Sequence, residues 1–142
     1  VIDIKELTNK KEWAEGFAIM KQLRVHLDLD EYLELVQEAQ NKEHYRILAL
    51  YDQAQMAALV GYMPMTTLYY GRFIWVCDLV TDDDKRSQGY GEKLLRYVEE
   101  WAKENSYTCV ALSSGLQRRD AHRFYEETMA YDQVSFVYKK NL

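Results

Sequence analysis

The sequence predicts an α+β fold built on a mixed, mostly antiparallel central sheet, and three observations lead there. Three strand-like runs, Tyr45 to Tyr51, Met56 to Met63 and Arg72 to Thr81, follow one another, the first two joined by the polar turn "DQAQ", as in an antiparallel meander. At Gly89 the apolar period changes from two to about 3.6: Leu94, Val98 and Trp101 form one stripe, with Leu95 and Ala102 beside it, out to Asn105. "YTCVAL" then reads as strand again, so a strand-helix-strand unit follows the meander and calls for helices on the faces of the sheet.

The remaining elements fall around this frame. Val1 to Lys5 is a short β-branched strand, and Trp13, Phe17 and Met20 recur at helical spacing after it. "DLDEYLELVQEAQ" offers Asp28 or Asp30 as N-cap, stacks Leu33, Val36 and Ala39 on one side, and ends at Gln40 and Asn41. The only proline, Pro64, ends or bends the second meander strand, because it cannot donate to a central ladder. Arg118 to Thr128 carries Ala121, Phe124 and Tyr125 at helical spacing, and Tyr131 to Lys139 alternates as a final strand. The expected order is β-α-α-β-β-β-α-β-α-β in a single domain, residues 1–142, without repeats or a linker.

Composition excludes several classes of function. The net charge of -5 argues against a nucleic-acid binder, which needs clustered Lys and Arg for phosphate contacts. No apolar stretch approaches the roughly 20 residues that cross a bilayer, and "VIDIKELTNKKEW" lacks the apolar centre of a signal peptide. The chain therefore reads as cytoplasmic, with no membrane partner. It starts at Val1 and not at Met, so a trimmed leader or tag stays open, as does a homodimer. Cys77 and Cys109 both lie in apolar alternating segments and read as reduced core thiols, not as a disulfide or a metal pair; no metal site is expected.

The stretch "RSQGYGEKLL" carries the chemistry. Strand "RFIWVCDLV", loop "TDDDKRSQGYG" and the helix from Glu92 make a corner that exposes the helix's first free N–H groups, and glycine lets an anion approach them without a Cβ in the way. Each favourable charge at such a terminus contributes about 0.3–1 kcal/mol, so several amides and Arg86 must act together, and a diphosphate suits that better than a lone phosphate. A P-loop is unsupported because Glu92 and Lys93 follow Gly91, and the dinucleotide fingerprint would want its third glycine where Leu94 stands.

Arg86-x-x-Gly89-x-Gly91 instead resembles the Q/R-x-x-G-x-G/A signature of the GNAT superfamily of N-acetyltransferases. It follows the fourth strand and opens the third helix, as in that family, and "AHRFYEE" resembles the family's A-x-x-F-Y segment on the fourth helix. Specific matches lie between about Leu79 and Tyr131, while the element order resembles the family along nearly the whole chain. Two features depart from the pattern. "TDDDK" sets three carboxylates before the anion site, and Met129 and Ala130 stand where the family usually ends its fourth helix with glycine.

The resemblance implies a GNAT-like fold whose fourth and fifth strands splay and admit the pantetheine arm of acetyl-CoA. Leu79, Val80 and Thr81 would bond that arm along a free edge, and the segment Arg86, Ser87, Gln88, Gly89, Tyr90, Gly91 and Glu92 would take the diphosphate. The reaction implied is acetyl transfer from acetyl-CoA to an amine by direct attack on the thioester. A catalytically silent acetyl-CoA binding or regulatory module is the alternative, and a structural domain without cofactor a third. A lysine-like acceptor of pKa ~10.4 needs roughly 4.6 kcal/mol to lose its proton at pH 7, so a base is required. Family members commonly use a carboxylate on the fourth strand and a tyrosine on the fourth helix that protonates the leaving thiolate. Tyr125 matches that tyrosine, while Asp78, His122 or a water chain to a backbone carbonyl are the candidates for the base; Cys77 stands where some relatives carry a glutamate. Acceptor choice would fall to "LRVHLDLDEY", where Asp28, Asp30 and Glu31 either attract a cationic amine or simply cap and solvate a helix.

Overall fold

Gly16 divides the first helical stretch of the sequence in two. A computed structural model, describing residues 1–142, sets β1 (Ile2–Leu7), α1 (Lys10–Glu15) and α2 (Phe17–Leu23) in succession, with Gly16 ending one helix and opening the next. A Cβ on Gly16 would stand 3.3 Å from a Leu59 methyl and 3.5 Å from one of Leu7, so the chain lies close on the sheet here. α3 (Leu29–Glu43) is capped by Asp28, whose carboxylate accepts from the Glu31 amide at 2.8 Å. It runs past Asn41 to end at His44, which takes the left-handed conformation, φ 58.

The chain divides into two units, Val1–Ala111 and Leu112–Leu142. In the first, β2 (Arg46–Asp52), β3 (Gln55–Thr67) and β4 (Gly71–Thr81) form the expected meander, and the sheet runs in the order β1-β2-β3-β4-β5, with β5 (Val110–Leu112) parallel to β4. The turn between β2 and β3 is two residues long, Gln53 (φ 51) and Ala54 (φ 66), both left-handed as the strands' twist requires. One face of the sheet carries Leu7, Ile47, Ala49, Leu59 and Val80, which join Trp13, Ile19, Met20, Tyr32 and Val36 of α1–α3 in a buried cluster. Its polar handles are satisfied: Trp13 Nε1 donates to the Leu7 carbonyl and Tyr32 Oη to the Trp13 carbonyl, each at 2.8 Å. Alternation turns Leu48, Leu50, Ala58, Val60 and Tyr62 to the other face, where the Tyr62 ring meets the edge of Trp101 from α4 (Tyr90–Glu104) at 5.4 Å. Leu94, Leu95 and Val98 of α4 are wholly buried, each worth about 1.5–3 kcal/mol.

Pro64 does not end its strand, the first of the two expected outcomes. β3 continues to Thr67, with Pro64 opposite Ile74, but β2 stops opposite Tyr62, so β3 has an open side here. The Ile74 amide donates to the Cys109 carbonyl at 3.0 Å, toward β5. The Pro64–Ile74 pair is therefore a non-hydrogen-bonded one, and the donor that proline lacks would have pointed outward.

The second unit holds α5 (Arg119–Arg123), which passes into a π turn, Phe124–Thr128, closed by the Met129 amide donating to the Phe124 carbonyl at 3.0 Å. Ala130 then takes φ 60, the left-handed position for which the family pattern wants glycine, and the Tyr131 amide donates to the Tyr125 carbonyl at 2.8 Å. The expected strand from Tyr131 to Lys139 does not form: residues 132–142 carry no regular structure, and Val134, Phe136 and Tyr138 are exposed. Alternation supplies a strand's side chains, but a strand also needs a neighbour's ladder of N–H and C=O groups. Cys77 and Cys109 are both free, but Cys109 is exposed and is no core thiol, because it sits before β5 begins.

Candidate active site

The corner between β4 and α4 is tied down by its own acids. The Asp82 amide donates to the Ala57 carbonyl at 2.8 Å, and the Asp82 carboxylate accepts from Gln22 Nε2 and Lys85 Nζ, each at 3.3 Å. The Gln22 bond first, then the Asp84 amide and Lys85, hold Asp82 below the usual carboxylate range. The Asp83 amide donates to Gln22 Oε1 at 2.9 Å, and its carboxylate pairs with Arg86 Nη2 at 2.7 Å. Two of the three acids of "TDDDK" are thus engaged inside the turn Asp83–Lys85 and its flanks.

Beyond that turn the backbone opens. Ser87 (φ 65) and Gly89 (φ 79) are both left-handed, and Gly89 is the N-cap of α4 without any side-chain capping bond. The first intrahelical bond runs from the Lys93 amide to the Gly89 carbonyl at 3.1 Å, so the amides of Tyr90, Gly91 and Glu92 precede the helix's first acceptor. A Cβ on Gly89 would meet nothing within 4 Å: packing does not require this glycine, its conformation does. The side chains nearby are occupied elsewhere. Tyr90 is buried and its hydroxyl donates to the Asp52 carboxylate at the end of β2, with Gln88 Oε1 3.1 Å away, while Glu92 pairs with Arg96 at 2.9 Å. What the segment Arg86–Glu92 presents is main chain, the chemistry a diphosphate takes at a helix N-terminus.

β4 supplies the other half of the corner. Leu79, Val80 and Thr81 pair with Val60, Leu59 and Ala58 of β3 on one side. On the other side β5 has three residues against eleven in β4 and joins it at Ile74, so those three lie beyond its reach.

Asp78 is not a free carboxylate. The β3–β4 register slips between Gly61 and Tyr62, which face Asp78 and Val76, and leaves Cys77 as the bulged residue. Arg24, at the end of α2, donates from Nε to Asp78 Oδ1 at 2.9 Å and from Nη2 to the Cys77 carbonyl at 2.7 Å. Tyr45 donates its hydroxyl to Asp78 Oδ2 at 2.5 Å. A Cβ on Gly61 would stand 2.0 Å from Tyr45 Oη and 2.8 Å from Asp78 Oδ2, so that bond exists because residue 61 has no side chain. Burial, then the charge and bond of Asp78, push the Tyr45 phenol well above its ordinary value, and burial pushes the Cys77 thiol up to about 12. Arg24 and Tyr45 were not singled out from the sequence, since 54 and 33 positions separate them from Asp78; Gly61, alone in an apolar strand, was the one readable sign of a close approach.

Tyr125 and His122 belong to the second unit. Tyr125 lies in the π turn, its ring centroid 5.3 Å from that of Phe124 and 6.2 Å from that of Tyr131. Burial raises its phenol pKa against the opposing pull of Arg118. His122 Nε2 is 2.8 Å from the Gly115 carbonyl; an oxygen that can only accept requires Nε2 to carry the proton, which ties the ring to the preceding loop. Asp28 is spent as the cap of α3.

The sequence pattern of the acetyltransferase (GNAT) family matches residues 11–131. The chain belongs to the GNAT family of acetyltransferases. It is 43% identical over 140 residues, 99% of each chain, to the uncharacterized N-acetyltransferase YhdJ of Bacillus subtilis. It is 33% identical over 100 residues, 70% of this chain and 63% of the other, to the aminoalkylphosphonate N-acetyltransferase of Salmonella typhimurium. An aminoglycoside N-acetyltransferase solved in complex with CoA shares the fold, with a TM-score of 0.85 at 12% identity over 99% of this chain and 95% of that one. In this GNAT domain the segment Arg86–Gly91 runs into the uncapped terminus of α4, and Tyr125 lies on the π turn.

Proposed function

We propose that this GNAT protein transfers an acetyl group from acetyl-CoA to an amine. The observation that carries the reading is the terminus of α4, opened by Gly89 in a left-handed conformation and capped by no side chain directly after β4. The amides of Ser87–Glu92 would hold the diphosphate, and the outer edge of Leu79–Thr81 the pantetheine arm. Acetyl-CoA, when bound, supplies an acyl carbon activated as a thioester. The chain's own residues do the rest. Asp78 binds and orients the acceptor nitrogen and takes its proton, and Tyr125, kept protonated by burial, donates toward the departing sulfur. His122, bound through Nε2 to Gly115, serves to hold the loop before α5. That relatives are named for acetylating aminoalkylphosphonates and aminoglycosides supports an amine as acceptor.

One observation favours a second reading, the catalytically silent acetyl-CoA module: both oxygens of Asp78 are already engaged, by Arg24 and Tyr45. Calorimetry with CoA, followed by a panel of amines read through release of free thiol, separates the two. Binding with turnover of at least one amine establishes the enzyme, binding without turnover across the panel establishes the silent module, and absence of binding at millimolar CoA removes both.

A further inference from the structure

Asp78 holds two partners of unequal permanence. Tyr45 is buried, and its hydroxyl fills the space left by Gly61. Arg24 comes from the connection between α2 and α3; its side chain is 39% exposed, against 13% for Asp78. The other polar neighbours cannot balance the carboxylate, because Tyr32, Tyr45 and Cys77 are neutral when protonated and negative when not. Withdrawing Arg24 alone would strand a mostly buried anion, which is strongly unfavourable. Replacing it by another cation keeps the charge balanced.

We propose that Arg24 is the resident occupant of an amine site, and that a primary ammonium enters by displacing its guanidinium from Asp78 Oδ1 and the Cys77 carbonyl. Arg24 spans these two acceptors with two separate nitrogens, 2.9 Å and 2.7 Å from them. A single ligand nitrogen must therefore bring at least two N–H donors besides its charge. A primary ammonium has three, whereas a quaternary ammonium has none and leaves both acceptors unpaired. The β-bulge fixes this arrangement, since it turns the Cys77 carbonyl and the Asp78 carboxylate toward the same guanidinium. The acceptors selected are thus primary amines in their cationic form, and the exchange sets a threshold that neutral molecules do not cross. The inference rests on the acetyl-transfer reading only in identifying this cation with the acceptor.

The test is thermal denaturation of Arg24→Ala in ethylammonium chloride, with tetramethylammonium chloride at equal ionic strength as the control. Ethylammonium at about ten times its Kd should raise the Tm of the variant by about 4 °C, and tetramethylammonium should leave it unchanged. The rise should vanish in Arg24→Ala/Asp78→Asn. In the unmodified chain the Arg24 Nε–H resonance should shift on titration with ethylammonium and not with tetramethylammonium, a reading that does not depend on the variant folding. Equal responses to the two salts, a rise that survives Asp78→Asn, or an Arg24 resonance that never moves would each overturn the proposal. None of these readouts needs acetyl transfer, so their failure removes Asp78 from acceptor binding but leaves transfer from acetyl-CoA to an amine standing, and failure to bind CoA leaves the amine site standing.

Discussion

Gly61 and Asp78 face each other across the β3–β4 ladder, and a methyl group on Gly61 would stand 2.8 Å from Asp78 Oδ2 and 2.0 Å from Tyr45 Oη. Neither neighbour is the loose end of a flexible chain, since Tyr45 is buried and Asp78 is held by Arg24. Gly61→Ala should therefore destabilise the protein by about 1–3 kcal/mol, read as a lower urea midpoint at unchanged slope.

At Gly89 the expected outcome is different in kind. Its Cβ would touch nothing, so Gly89→Ala should cost only the left-handed strain of about 1 kcal/mol in stability. Affinity for CoA should fall at least about tenfold, because Gly89 is the N-cap of the terminus whose amides would face the diphosphate, and a side chain there strains the left-handed turn that exposes them. Calorimetry beside a urea titration checks both, and equal small effects on the two would remove Gly89 from the site.

Alkali should unfold the protein partly through Cys77. Its thiol ordinarily titrates near 9.0 and is pushed up to about 12 in the fold, first by burial and then by the Asp78 charge, against the pull of Arg24. Below pH 9 both states hold the proton, so nothing is lost there. Between these values the unfolded chain releases it and the folded chain does not, so stability falls with rising pH, by about 1.4 kcal/mol per pH unit for one group. The urea midpoint should drop between pH 9 and 11, and Cys77→Ala should make that drop shallower.

Tyr125→Phe should lower kcat by about 10²-fold with any amine the parent acetylates, while the Kd for CoA stays unchanged. Stopped-flow thiol release measures the first and calorimetry the second. Parity of kcat would remove the acid role.

Ala130 occupies a left-handed position at φ 60, which disfavours a side chain with a Cβ. Ala130→Gly should stabilise the protein by up to about 1 kcal/mol, the relief of strain being partly offset by the freer unfolded chain. A denaturant midpoint that fell instead would show the alanine methyl to be needed for packing.

The corner between β4 and α4 was legible because everything that builds it is local: a strand, two glycines and an amphipathic helix follow one another within about thirty positions of the chain. The meander and α4 were legible for the same reason. Arg24 and Tyr45 were not, because their meaning arises only where β4 passes the ends of α2 and α3, and no spacing rule connects them to Asp78. Pro64 misled because the sequence does not reveal where β2 stops. The missing glycine after Tyr125 pointed to a doubtful helix end, and the chain meets that position with Ala130 in the strained conformation itself.

Where β2 has ended, β3 runs on with one flank bare from Met63 to Thr67. A bare flank is a template on which a foreign chain can assemble, the first step of uncontrolled clumping. Proline at position 64 removes the outward donor from the middle of that template. The same imino acid that the ladder tolerates thus acts as a guard against aggregation.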